Sequence, residues 1–277
     1  MSEQEKLYKL YNITDKKDYD GSTVKCECTI NGEYGLFKER MSMQSKDNVM
    51  EDIAYRIAEL LGVSCAFASC RKYKNIIGSF SRYEIPKGYD FIHLSSIYGV
   101  DELDAGELLR QTILKSNNKI GSIVIDLYKY IIFDYIMGQR DRHLSNLALL
   151  RNKNATSNKT YMYKLYDNGL CCFATESNDN AIEMLNNRHY SSRIGTNEDI
   201  IKAIQDYRNL INPGDLRELV QYDKLNDKVL KYYFEKADKY HQIGKERQLA
   251  SINFIMRNAL DIHKVNNGTF RMEDLYV

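Results

Sequence analysis

The sequence predicts a two-lobed α+β protein, with a small β-rich N-lobe carrying one helix and a larger, mainly helical C-lobe containing a β-hairpin. Three observations predict it. Strand-like alternation with one helical stretch fills residues 23–80; helical periodicity dominates beyond Pro86; and two short apolar runs around a polar turn interrupt that helical part. At 277 residues, with 43% hydrophobic and 28% charged, the chain has enough apolar material for a core in each lobe. The lobes divide near a short crossing at Ser81 to Pro86, giving an N-lobe of residues 1–83 and a C-lobe of residues 84–277.

The elements follow in order. From Thr23 to Ile30, Val24, Cys26, Cys28 and Ile30 alternate with polar residues, the period of a half-buried strand. Asn31-Gly32 suits a tight hairpin turn, which returns the chain as a second strand over Glu33 to Lys38. Val49, Ile53, Ile57, Leu60 and Leu61 recur at helical spacing across Asn48 to Leu61, and Gly62 supplies a C-terminal cap. A second hairpin is expected from Ser64 to Ser69 and Ile76 to Phe80. Helices are expected over Glu102 to Leu114, Ile120 to Met137, Glu198 to Leu210, Lys228 to His241 and Lys245 to Ile262. The interrupting hairpin pairs Asn146 to Leu150 with Tyr161 to Tyr166.

Composition removes several classes of function. Thirty-nine basic against 38 acidic residues leave a net charge of +1, so no broad field draws the chain to nucleic acid or to a membrane surface. Ile120 to Met137 is broken by Asp126, Lys129 and Asp134, which fits a buried core helix and not a lipid-facing span. Met1 to Asp20 lacks the apolar run of a signal peptide, and the six cysteines form no C-x-x-C pair; a cytoplasmic protein with reduced thiols is expected.

The chemistry concentrates in Gly138-Gln139-Arg140-Asp141-Arg142-His143-Leu144-Ser145-Asn146, ahead of the hairpin, and Tyr166-Asp167-Asn168-Gly169 just past it. Phosphoryl transfer asks a protein for metal ions on the phosphates, a group to orient the nucleophile and a cation on the phosphate chain. Asp141 and Asn146 are five apart, as are the aspartate and asparagine of the protein-kinase loop H-R-D-x-x-x-x-N. Asp167 with Gly169 matches the metal-binding aspartate and glycine of D-F-G, and oxygens from Asn146 and Asp167 suit Mg²⁺. Upstream, Lys38 ends a strand and Glu51 opens the following helix as its ion-pair partner, although Asp52 is adjacent.

Asp141-Arg142-His143-x-x-Asn146 with Asp167-x-Gly169 resembles the HipA-like serine/threonine kinases, as do Tyr34-Gly35-Leu36-Phe37-Lys38 and the segment from Glu51 to Gly62. The resemblance runs from about Tyr19 to the end of the hairpin and implies a bilobal protein-kinase-like fold that uses ATP and Mg²⁺ to phosphorylate a protein serine or threonine. By position it implies Asp141 as catalytic base, Asn146 and Asp167 as metal ligands, Lys38 on the α- and β-phosphates, and Phe80-Ser81 as the adenine-contacting linker. Gly21, Ser22 and Thr23 stand where a glycine-rich loop would, and their backbone amides are expected to cap the phosphates as a short anion nest. The resemblance also implies autophosphorylation at Ser22 or Thr23, a toxin-type growth-arrest role, and an antitoxin or accessory chain as partner beside the protein substrate. Two departures are visible: Asn168 stands in place of the D-F-G phenylalanine, and Leu170 to Arg193 reads as a substrate loop with no A-P-E.

Two other readings share these residues. The D-R-H-x-x-N pattern also occurs in phosphoinositide kinases, which points to a lipid or small-molecule acceptor. A catalytically inactive kinase-fold binding module is the other, and the intact set Lys38, Asp141, Asn146 and Asp167 argues against it.

Overall fold

The structure is a computed structural model that describes residues 25–30, 32–73, 76–117, 119–153 and 159–276. Gly21, Ser22 and Thr23 lie outside the described residues. Strands β1 (Lys25–Ile30), β2 (Glu33–Glu39), β3 (Ala68–Tyr73) and β4 (Ile76–Arg82) form an antiparallel sheet in the order β1-β2-β4-β3. Phe37 pairs with Cys26 on one side and Phe80 on the other, so these three and Cys28 close an apolar cluster within the sheet. The third strand begins at Ala68, later than the expected Ser64, because residues 64–66 pair elsewhere: Cys65 bridges Leu165 of the large lobe.

Helix α1 (Asp47–Leu61) packs on β3 and β4 and ends at Gly62, whose φ of 70° is readily available only to glycine. Its apolar face, Val49, Ile53, Ile57 and Leu61, is fully buried, which is what turns a helical spacing of apolar residues into a docked helix. The chain then crosses to the large lobe through residues 83–88.

The large lobe contains α2 (Leu94–Tyr98), α3 (Ala105–Lys115), α4 (Ser122–Met137), α5 (Asn178–Asn187), α6 (Asn197–Ile211), α7 (Asp227–Ala237) and α8 (Lys245–Asn266). Helix α4 is its axis, with Leu127, Ile131, Phe133, Tyr135 and Ile136 all buried against α3, α6 and α8. The expected hairpin is present as β6 (Ala148–Asn152) and β7 (Thr160–Met162), and it gains a third strand, β5 (Tyr89–His93), from just past the crossing. Leu170 to Arg193 is not a bare loop: it carries α5, packed on α8, and the two-residue strand β8 (Ser191–Ser192), which pairs with β9 (Gly195–Thr196). No helix among the described residues is long and apolar enough to cross a membrane.

Candidate active site

Three acidic or basic side chains from distant parts of the chain meet between the lobes. Lys38, near the end of β2, places Nζ 2.6 Å from Asp167 Oδ1 across a separation of 129 residues. Glu51, in the second turn of α1, accepts the backbone N–H of Asn168 at 2.9 Å. Asp52 faces the other way, taking Arg56 Nε at 2.5 Å and the Cys70 N–H at 2.9 Å, so only Glu51 of the adjacent pair reaches the cleft. The geometry selects between two carboxylates that helical spacing alone left equivalent.

One ammonium serves two carboxylates here, and contact decides which is the stronger acid. Burial would raise Asp167, but the Lys38 charge and hydrogen bond outweigh it and hold its pKa at about 2. Glu51 is 4% exposed; burial dominates there and, despite Lys38, pushes its pKa up to about 7. Burial likewise opposes the Lys38 charge, yet Asp167 and Glu51 together carry its pKa above the ordinary value. Asp167 has φ of 53°, an uncommon conformation for a non-glycine residue, and Gln139 Nε2 holds its carbonyl at 3.2 Å. A Cβ at Gly169 would lie 3.0 Å from Glu51 Oε2 and 3.1 Å from the Asp47 carbonyl, so a larger residue would press on both and they would have to give by a few tenths of an ångström.

The loop from Gly138 to Asn146 is organised around Arg142, which is 1% exposed. Its guanidinium forms a bidentate pair with Asp134 of α4 at 2.8 and 3.1 Å, and donates to the Tyr166 carbonyl at 2.9 Å, the Asn146 carbonyl at 3.3 Å and Asn168 Oδ1 at 2.5 Å. One buried cation therefore ties α4, the loop and the segment around Asp167 into one unit. Gln139, fully buried, accepts the Asp141 N–H at 3.1 Å while reaching Asp167 on its other side.

Asn146 donates its amide to the Asp141 carbonyl at 3.1 Å, which leaves the amide oxygen as its acceptor end. The Asp141 carboxylate is paired with Arg193, Nε to Oδ1 at 2.7 Å, from the turn between β8 and β9. His143 turns to Asp101 at 3.2 Å, and Asp101 also accepts the Ser145 N–H at 2.9 Å and its hydroxyl at 2.6 Å. His143 thus sits in a network that fixes the loop backbone.

No family model matches the sequence, and no curated protein matches it. Solved structures do match. The proinflammatory kinase CtkA of Helicobacter pylori superposes with a TM-score of 0.69 at 14% identity, over 93% of this chain and 95% of that one. The fold is that of a kinase. The Golgi casein kinase aligns with a TM-score of 0.51 at 13% identity, over 95% of this chain and 75% of that one. HipA of Shewanella oneidensis MR-1, from its complex with HipB and operator DNA, aligns with a TM-score of 0.48 at 11% identity over 96% of this chain and 73% of that one.

Within this kinase fold, Lys38, Glu51 and Asp167 come together, and Asp141 and Asn146 share one loop that Gln139 and Arg142 connect to the Asp167 segment. Phe80 and Ser81 are placed differently from the expected linker. Both lie inside β4, with Phe80 fully buried in the sheet cluster, and the crossing itself begins at residue 83. Sequence reasoning passed over Arg193, Gln139 and the Asp134–Arg142 pair. Asp134 carried a signal, being an acid inside the most apolar helix of the chain, where burial without a partner would be prohibitive. Arg193 carried none, because it stands in a polar stretch of ordinary composition.

The residues present fit a Mg²⁺–nucleotide pair. Asp167 stays ionised over the whole physiological range, Asn146 offers an amide oxygen, and Lys38 presents a cation beside Asp167. Among the described residues no three His, Cys, Asp or Glu side chains cluster as a metal site. A hard, oxygen-bound ion that takes its remaining ligands from phosphate and water suits such a sparse donor set.

Proposed function

We propose that this chain is an ATP- and Mg²⁺-dependent kinase that transfers the γ-phosphoryl group to a serine or threonine hydroxyl of a protein. The observation that carries the reading is the 2.6 Å contact of Lys38 with Asp167, braced by Glu51 on the neighbouring Asn168 amide. Such a contact across 129 residues supports the reading because a cation for phosphate and a carboxylate for a metal ion are needed side by side in one cleft.

ATP supplies the transferable group, and the divalent ion offsets the charge on its oxygens. Asn146 and Asp167 would hold the ion, and Lys38 would hold the α- and β-phosphates. Asp141, paired with Arg193, would orient the acceptor hydroxyl and receive its proton. Arg142, itself remote from the chemistry, keeps Asn146 and the Asp167 segment at a fixed spacing. The N-lobe, residues 1–83, would bind nucleotide, and residues 84–277 would carry the catalytic loop, metal site and acceptor. Ser22 or Thr23 as an autophosphorylated residue, a toxin-type role and an antitoxin partner rest on the sequence resemblance.

Incubation with labelled ATP and Mg²⁺, followed by phosphosite mapping, tests the proposal. Label is expected on a protein serine or threonine, and Asp141→Ala or Asp167→Ala should abolish it without unfolding the chain. Transfer at the wild-type rate by either variant would refute the assignment, and label appearing only on an added lipid or metabolite would redirect it.

A further inference from the structure

The turn that carries Asn146 does not cap itself. Leu144–Asn146 is one turn of 3-10 helix, and His143 at its N-cap position offers no side-chain acceptor to the amides that follow. Both amides are taken by Asp101, in the loop between α2 and α3. Its carbonyl accepts the Leu144 N–H at 2.8 Å, and its Oδ1 accepts the Ser145 N–H at 2.9 Å. The same Oδ1 accepts the Ser145 hydroxyl at 2.6 Å, and His143 Nδ1 lies 3.2 Å away. A residue 44 positions earlier in the chain thus does the work of an N-cap across a tertiary contact.

The neighbouring helix has no use for this carboxylate. Helix α3 is capped by Asp104, whose side chain accepts the Glu107 N–H at 2.8 Å. Among the described residues, the hydrogen bonds of the Asp101 carboxylate all go to His143 and Ser145. What it holds is passed on to both sides of the cleft. Inside the turn, the Asn146 N–H donates to the His143 carbonyl at 2.9 Å, and the Asn146 side chain reaches the Asp141 carbonyl at 3.1 Å. On the other side, the Ser145 carbonyl accepts the hydroxyl of Tyr166, the residue before Asp167, at 2.8 Å. Ser95 of α2 lies beneath, its hydroxyl 2.9 Å from Ser145 Oγ.

We infer that Asp101 is a positioning residue for the cleft: by capping the turn Leu144–Asn146 it fixes Asn146 and, through Ser145 and Tyr166, the spacing of Asn146 from Asp167. Asp101 touches neither phosphate nor acceptor in this role and acts through the backbone of the loop. Its effect on Mg²⁺ rests on the reading of Asn146 and Asp167 as the residues that hold the ion, whereas the capping of the turn does not.

Two measurements on the full chain test it. The first needs neither metal nor nucleotide. Hydrogen exchange at the Ser145 amide should run about tenfold faster in Asp101→Ala, and Asp101→Asn, which keeps an acceptor oxygen, should restore most of the protection. The second is the Mg²⁺ concentration that supports half-maximal phosphoryl transfer, which should rise about tenfold in Asp101→Ala and fall back in Asp101→Asn. Asp104→Ala is the control for capping alone. Each alanine removes one capping carboxylate and should lower the melting temperature by about 2–4 °C, but Asp104→Ala should leave the Mg²⁺ requirement unchanged. Wild-type exchange at Ser145 in Asp101→Ala would overturn the inference, as would an unchanged Mg²⁺ requirement in that variant or an equal rise in Asp104→Ala. A wild-type chain that transfers nothing would count against the kinase reading instead, and exchange at Ser145 would then decide whether Asp101 holds the turn.

Discussion

Arg193 pairs directly with Asp141, its Nε 2.7 Å from Oδ1. The same guanidinium reaches Glu102 at 3.3 Å, so the turn between β8 and β9 is braced against the loop before α3. Arg193 is therefore a positioning residue for the proposed base. Its side chain is 46% exposed, which limits the pair's share of stability to about 0–1 kcal/mol.

Arg193→Ala should leave the melting temperature nearly unchanged while lowering kcat about tenfold, with KM for ATP unaffected. Arg193→Lys should recover only part of the loss, since an ammonium lacks the planar fork that fixes a carboxylate. Steady-state kinetics of the three proteins check this, and an unchanged kcat in Arg193→Ala would remove the positioning role.

The Asp134–Arg142 pair carries the opposite balance, because both side chains are 1% exposed. Asp134→Ala should cost about 3–5 kcal/mol in chemical denaturation by leaving a buried guanidinium uncompensated. A loss under about 1 kcal/mol would show that water or rearrangement satisfies Arg142.

Two limbs of the pH–stability profile follow from the cleft. Asp167 is depressed from its ordinary 3.8 to about 2, so its contribution is present above 3.8 and is lost as pH falls through 2. Glu51 is raised from 4.5 to about 7, so its contribution is present below 4.5 and is lost as pH rises through 7. Melting temperatures across pH should show Asp167→Asn flattening the acid limb and Glu51→Gln flattening the fall toward neutrality. Unaltered limbs in these variants would assign the titrations to other groups.

Gly169→Ala places a methyl group against Glu51 and the Asp47 carbonyl. It should destabilise the chain by about 1–3 kcal/mol and displace Asp167. Equilibrium denaturation together with Mg²⁺-dependent nucleotide binding measures both effects.

Much of this was readable from the residues. Alternating Cys26 and Cys28 gave the first strand, the spacing of Val49, Ile53 and Ile57 gave α1, and the paired motifs around Asp141 and Asp167 gave the loops. Strand β5 was missed because Tyr89 to His93 is half-buried throughout and shows no clean alternation between faces. Helix α5 was missed because Asn178–Asn187 is polar, with Ala181 and Leu185 as its buried residues. Neither Arg193 nor the choice of Glu51 over Asp52 could be read from the chain, since both depend on which distant surface a side chain meets.

Helix α1 is anchored to the large lobe at both ends: Lys46 donates to Ala174 at 2.8 Å, and Leu61 accepts from Gln221 at 3.0 Å. Its middle is held too, through Glu51 on Asn168. Asp52 meanwhile takes the Cys70 N–H of β3 at 2.9 Å, so the helix is a pin driven through both lobes. The spacing of Lys38 from Asp167 is thereby held by a third element to which neither residue belongs.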